Sequence, residues 1–278
     1  MPKLKRNHMY AREPFSEFRE DIKTLMRGAN LEMPPQMNVL QERIENFRRL
    51  QNPCTVALVN AIVAGDDVDV LHAAALAEMA APSDSRVRTD MKTIVATAAY
   101  NSVVDAYADT APKHFATLAK AFNTAAAGFV KAAAVVDPER EATVMVAASD
   151  KERAAWRDAA EHADELDALL PCLVASARLN GIDIIDTSES ISLVCDAAGF
   201  HRRRVHEAWE LGGERCGRWS ALYALGVPLR VADLNTWQPY AEPAPMINRT
   251  IKIDGRLVDE VIDPEDELTD EITETVDA

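Results

Sequence analysis

ISLVCDAAGFHRRRVHEAW, residues Ile191 to Trp209, is the stretch whose reading decides this chain. It places three arginines and two histidines between His201 and His206, in a protein of 278 residues with a formal net charge of -15. Apolar residues recur at helical spacing on both sides of Ala198-Gly199. The pair therefore reads as a turn between two short helices.

This arrangement resembles a helix-turn-helix unit, whose second helix lies in a DNA groove. Val194 and Cys195 take the inner positions of the first helix, Ala198 closes it, and Gly199 makes the turn. Phe200 plugs the gap, and Val205 and Ala208 face inward from the second helix. The resemblance covers about twenty residues. It implies that His201, Arg202, Arg203, Arg204 and His206 form an outward nucleic-acid-binding face. Arginine grips phosphate through paired N–H donors. Thr and Asn, which often read bases, are missing, so the pattern favours phosphate grip over sequence readout. An ordinary helical corner with a solvated arginine face produces the same pattern.

Working outward, the charge is segregated. Eleven acids and one base lie between Asp254 and Ala278, so the tail carries about -10 and the rest about -5. Lys3, Lys5, Arg6 and Arg12 make a basic N-terminal arm. The acidic tail is expected to compete with nucleic acid for the arginine-rich helix.

The body reads as all-α, because alanine is abundant and the chain has only 10 glycines. Pro14 opens a first helix with Phe15, Phe18, Ile22, Leu25 and Met26 on one face, ending at Gly28 to Asn30. A second spans 36–51 through Met37, Leu40, Ile44, Phe47 and Leu50. Pro53 starts a third that ends near Gly65, and Asp66 caps a fourth that reaches Pro82. Long helices at 87–108 and 112–136 read as an antiparallel pair. Asp137-Pro138 starts a shorter helix. Ser149-Asp150-Lys151-Glu152 has the form of a capping box for the next; Pro171 kinks that helix or starts another, which ends at Asn180-Gly181. A last helix is expected from Glu214 to Leu225.

Prolines 228, 239, 243 and 245 exclude helix from most of the segment between Val227 and Met246. Thr250 to Val258 reads as a hairpin around Asp254-Gly255. The expected organisation is a basic arm (1–13), a helical array (14–182), a helix-turn-helix-like unit (183–226), a Pro-rich arm with a β-hairpin (227–263) and a disordered acidic tail (264–278).

Four separated cysteines, with no CxxC pair, fit a reduced, cytoplasmic setting. No apolar run is long enough for a membrane span, so no membrane partner is expected. Cys195, His201, His206 and Cys216 do not have the spacing of a zinc set. No phosphate loop, G-x-S-x-G or zinc-protease motif occurs, so no cofactor, metal or catalytic residue is assigned and the chain reads away from an enzyme. Two functions are expected from these features. One is a nucleic-acid-associated protein with DNA as partner. The other is a helical assembly protein that meets itself or other subunits through the 227–263 arm.

Overall fold

In a computed structural model of the chain, residues 16–49, 57, 62–63, 69–80, 99–185, 188–253 and 256–266 are described. The protein is mostly helical, with one two-stranded antiparallel sheet among the described residues. Of the expected helix from Pro53 only 57 and 62–63 are among them, all helical; its remainder, the Pro14 and Asp66 helix starts, the start of the 87–108 helix, the basic N-terminal arm and residues 267–278 lie outside.

The chain divides into two compact units. One comprises residues 3–114 and 179–181. Within it α1 (Ser16–Gly28), α2 (Pro35–Arg49), α3 (Asp69–Ala80) and helical residues 99–108 are described. Ile22 and Leu25 are buried as α1's pattern predicts, as are Met37 and Ile44 of α2. Met26 is 51% exposed, because it lies one position beyond the buried stripe. Asn30 takes φ 49°, a left-handed end to the α1 turn. Tyr107 anchors this core edge-on to Phe18, and its hydroxyl meets His114 Nδ1 at 3.0 Å. Burial lowers the His114 pKa, which favours the neutral ring.

The second unit comprises 115–178 and 182 onward. The division falls within α4 (Ala111–Ala133). After α4 comes the one-turn α5 (Ala142–Met145) and then α6 (Asp150–Leu179). No helix starts at Pro138. Asp137 Oδ1 instead accepts from Glu139 N at 3.0 Å, which makes a local turn. The capping box at α6 forms in both directions. Ser149 N donates to Glu152 Oε2 at 2.8 Å and Glu152 N to Ser149 Oγ at 3.3 Å. Pro171 sits inside α6 without ending it.

A 3-10 turn (Ser188–Ser190) leads into α7 (Ile191–Val194), followed by α8 (Arg202–Leu211) and α9 (Gly217–Ala224). Trp219 is the hub of this packing. It meets Phe122 of α4 at 5.6 Å and Trp209 of α8 at 5.9 Å, both edge-to-face, and donates from Nε1 to Asp167 of α6 at 2.9 Å. Strands β1 (Ile247–Ile253) and β2 (Arg256–Ile262) pair from Ile247↔Ile262 to Ile253↔Arg256. The hairpin is thus longer than the Thr250–Val258 expectation. Asp254 and Gly255 themselves lie outside the described residues.

Candidate functional site

The site is built on α8. His201 caps its N-terminus, with Nδ1 accepting from Arg204 N at 3.5 Å. Gly212, at φ 60°, ends it. Val205 and Trp209, one turn apart, are its buried face. This leaves Arg202, Arg203, Arg204 and His206 to be placed by whatever lies against the other sides.

The first helix of the pair differs from the expectation. It ends at Val194, and Cys195 is extended at φ -133°, ψ 141°. Cys195 forms an antiparallel bridge with Leu229, so it is a strand-like rung and not an inner helical position. Ala198 therefore does not close the helix, although Gly199 does take the left-handed turn conformation (φ 81°). Burial pushes the Cys195 thiol pKa up, so it is held protonated and unreactive.

The Pro-rich arm explains the extended segment. Asp196 N donates to Pro228 O at 2.9 Å, Arg230 N to Val194 O at 2.9 Å and Ala232 N to Leu193 O at 2.8 Å. Further along, Ser192 Oγ donates to Gln238 O at 2.6 Å and the Tyr240 hydroxyl to Arg202 O at 2.7 Å. Burial pushes the Tyr240 hydroxyl up to about 12, so it stays a donor. The arm thus runs along α7 and reaches the start of α8.

There the arginines meet it. Arg203 Nε donates to Asp263 Oδ2 at 2.5 Å, and its Nη2 donates to Ala244 O. One guanidinium therefore holds the chain just before β1 and just after β2. Glu265 closes the same neck by accepting from Ala244 N at 2.9 Å, and it pairs with Arg202 at 2.9 Å. His201 Nε2 lies 3.8 Å from Asp263 and 3.4 Å from Asp266. The hydrogen bond from Arg203 holds the Asp263 carboxyl below its ordinary value, and the same bond raises Arg203.

The five sequence-selected residues thus separate. His201 and Arg203 were expected to face outward, but their side chains are only 21% and 18% exposed against the acidic segment. Arg202 is half-exposed and paired, Arg204 is exposed and His206 half-buried. Among the described residues Arg204 makes no ion pair. The long-range partner that turns Arg203 inward had one signal in the sequence, the acidic run at Asp263-Pro-Glu-Asp266.

No family model, curated protein or solved structure matches the chain.

His201, Asp263 and Asp266 bring possible ligand atoms within 4.8 Å of one another. The Arg203 guanidinium already occupies Asp263, and its fixed charge opposes a cation there. Cys195, His206 and Cys216 do not join that group. Cys216 instead sits beside Glu139, where burial pushes its thiol up to about 11. No helix among the described residues is long and apolar enough to cross a membrane.

Proposed function

We propose that this protein is a non-enzymatic assembly protein that presents the β1–β2 hairpin for strand pairing with another copy of itself. The observation that carries this reading is the pinned neck. Arg203, Arg202 and Glu265 tie Ala244 to Asp263 and fix the base of the hairpin on α8. Beyond that neck lies a two-stranded sheet, with Ile247 and Val261 at 50% and 60% exposure and Met246 just before β1 at 44%. Two strands alone are marginal in water, and the edge strands of a sheet favour strand addition. Light scattering of the full chain over a concentration series tests this, beside a variant with residues 246–262 replaced by a Gly-Ser linker. The expected outcome is concentration-dependent association that the replacement abolishes. A chain that stays monomeric throughout, or associates equally well without the hairpin, sinks the reading.

A second reading keeps the arginine-rich helix as a phosphate contact. It is favoured by exposed Arg204 and by the fact that Arg202 and Arg203 hold anionic oxygens, here carboxylates. Nucleic acid has to compete with Asp263 and Glu265 for them. A gel-shift titration against salt, with Arg204→Ala and Asp263→Asn, separates the outcomes. Phosphate grip predicts a steep salt slope, weaker binding for the first variant and tighter binding for the second.

A further inference from the structure

A cleft of about 400 Å³ lies between the 195–200 turn and the 230–241 segment of the arm. Phe200, Trp237 and Tyr240 line it together with Arg202, Arg230 and Thr236. Its volume falls within the range of small-ligand sites. Its walls are fixed by the hydrogen bonds already described, from the backbone pair Asp196–Pro228 at one end to the Tyr240 hydroxyl on Arg202 O at the other. The hairpin does not line it. The assembly reading leaves this cleft unused.

We propose that the cleft binds a nucleotide, with the base against the aromatic lining and the phosphate on Arg202 and Arg230. Three aromatic residues in one small cleft offer flat apolar surface, and stacking on such surface tolerates any base. Two arginines line the same cleft, and a guanidinium supplies planar donors that match phosphate oxygens. Each already holds a carboxylate. Arg230 Nη2 pairs with Asp196 at 2.7 Å and Arg202 with Glu265 at 2.9 Å. A guanidinium carries five N–H donors, so one carboxylate does not exhaust it. The side chains remain 68% and 47% exposed, which leaves donors open to an incoming anion. Glu265 then acts as an internal competitor, because its carboxylate and a phosphate seek the same group on Arg202.

The shared chemistry has two sources, a free mononucleotide or one nucleotide of a single strand. Full-length protein is titrated by calorimetry with AMP, a short oligothymidylate, adenosine and inorganic phosphate. A nucleotide site binds AMP or the oligonucleotide at least tenfold more tightly than either adenosine or phosphate alone. AMP binding identifies a free nucleotide, and binding of the oligonucleotide alone identifies a strand. Trp237→Leu and Arg230→Gln should each weaken binding about tenfold or more, and Glu265→Gln should tighten it. Tryptophan quenching lost in Trp237→Phe supplies a readout in a variant that keeps an aromatic ring and hence the fold. The hairpin-replaced variant should bind as well as the parent, which separates this inference from the assembly reading. No heat and no quenching with any nucleotide probe, or binding indifferent to Trp237 and Arg230, overturns it.

Discussion

Replacing Glu139 with alanine should loosen the unit that carries α8. The Glu139 carboxylate spans the turn between α8 and α9. Its Oε1 accepts from Ser220 Oγ at 2.6 Å and Cys216 N at 2.8 Å, and its Oε2 accepts from Arg215 N at 2.8 Å. Hydrogen bonds to a charged acceptor contribute about 1.5–3 kcal/mol each when well buried. Glu139 is only half-buried, so screening by solvent discounts them, and the three are not additive. The loss should be about 2–4 kcal/mol in total. For a chain of this size that lowers Tm by about 4–8 °C. All four tryptophans (156, 209, 219, 237) lie in the same unit as Glu139. Urea denaturation followed by tryptophan fluorescence therefore reports this unit directly.

The pH dependence gives a second readout of the same contact. Burial opposes ionisation of Glu139, but the bonds from Ser220, Arg215 and Cys216 prevail and hold its pKa below the ordinary 4.5. A carboxyl with a depressed native pKa stabilises fully above its unfolded value and loses that contribution as pH falls through the native one. The gap between the parent and Glu139→Ala should thus hold steady at neutral pH and narrow as the pH falls below the ordinary 4.5 and through the depressed native pKa. Gly213→Ala should cause a similar loss, since a β-carbon there lies 2.4 Å from Ser220 Oγ and 2.6 Å from Glu139 Oε1. A Glu139→Ala variant within about 0.5 kcal/mol of the parent, or a gap that ignores pH, would refute the reasoning.

Other outcomes are expected from the same geometry. Asp263→Asn should unpin the hairpin neck, seen as faster amide exchange in β1 and β2. In the parent the same loosening should appear on acidification, because the depressed Asp263 carboxyl gives up its pairing as pH falls through its native pKa. Trp219→Phe should destabilise more than Trp209→Phe, by about 1 kcal/mol in urea denaturation. Trp219 loses its bond to Asp167, whereas Trp209 Nε1 is buried with no partner among the described residues. Cys195 and Cys216 are buried with raised pKa values and should react slowly with Ellman's reagent in the native protein, then quickly in denaturant.

Local chemistry was legible in the sequence and long-range pairing was not. The Ser149–Glu152 box, the Gly199 turn, buried Val205 and the hairpin each depend on residues a few positions apart. Those features come from short spacing and turn chemistry. Cys195 looked helical because its apolar neighbours are spaced like a helix, yet Leu229 draws it into an extended bridge. Arg203 looked exposed for the same reason, since nothing within a helical turn distinguishes it from Arg204. Its inward position comes from Ala244 and Asp263, far along the chain. Pro138 looked like a helix start, but its carbonyl accepts from Arg215 Nη1 at 3.0 Å and the segment serves as a tertiary contact.

The neck formed by Arg203, Ala244 and Asp263 makes the hairpin a replaceable module. The two ends are tied to α8 by side chains that belong to the body or to the ends themselves, and no strand residue is needed to hold them. Doubling the length of a segment closed in this way costs only about 0.6 kcal/mol in loop entropy. Evolution or an engineer can therefore lengthen, shorten or exchange β1 and β2 while α8 and its anchors stay in place. A change of partner then requires new sequence only between the two tied points.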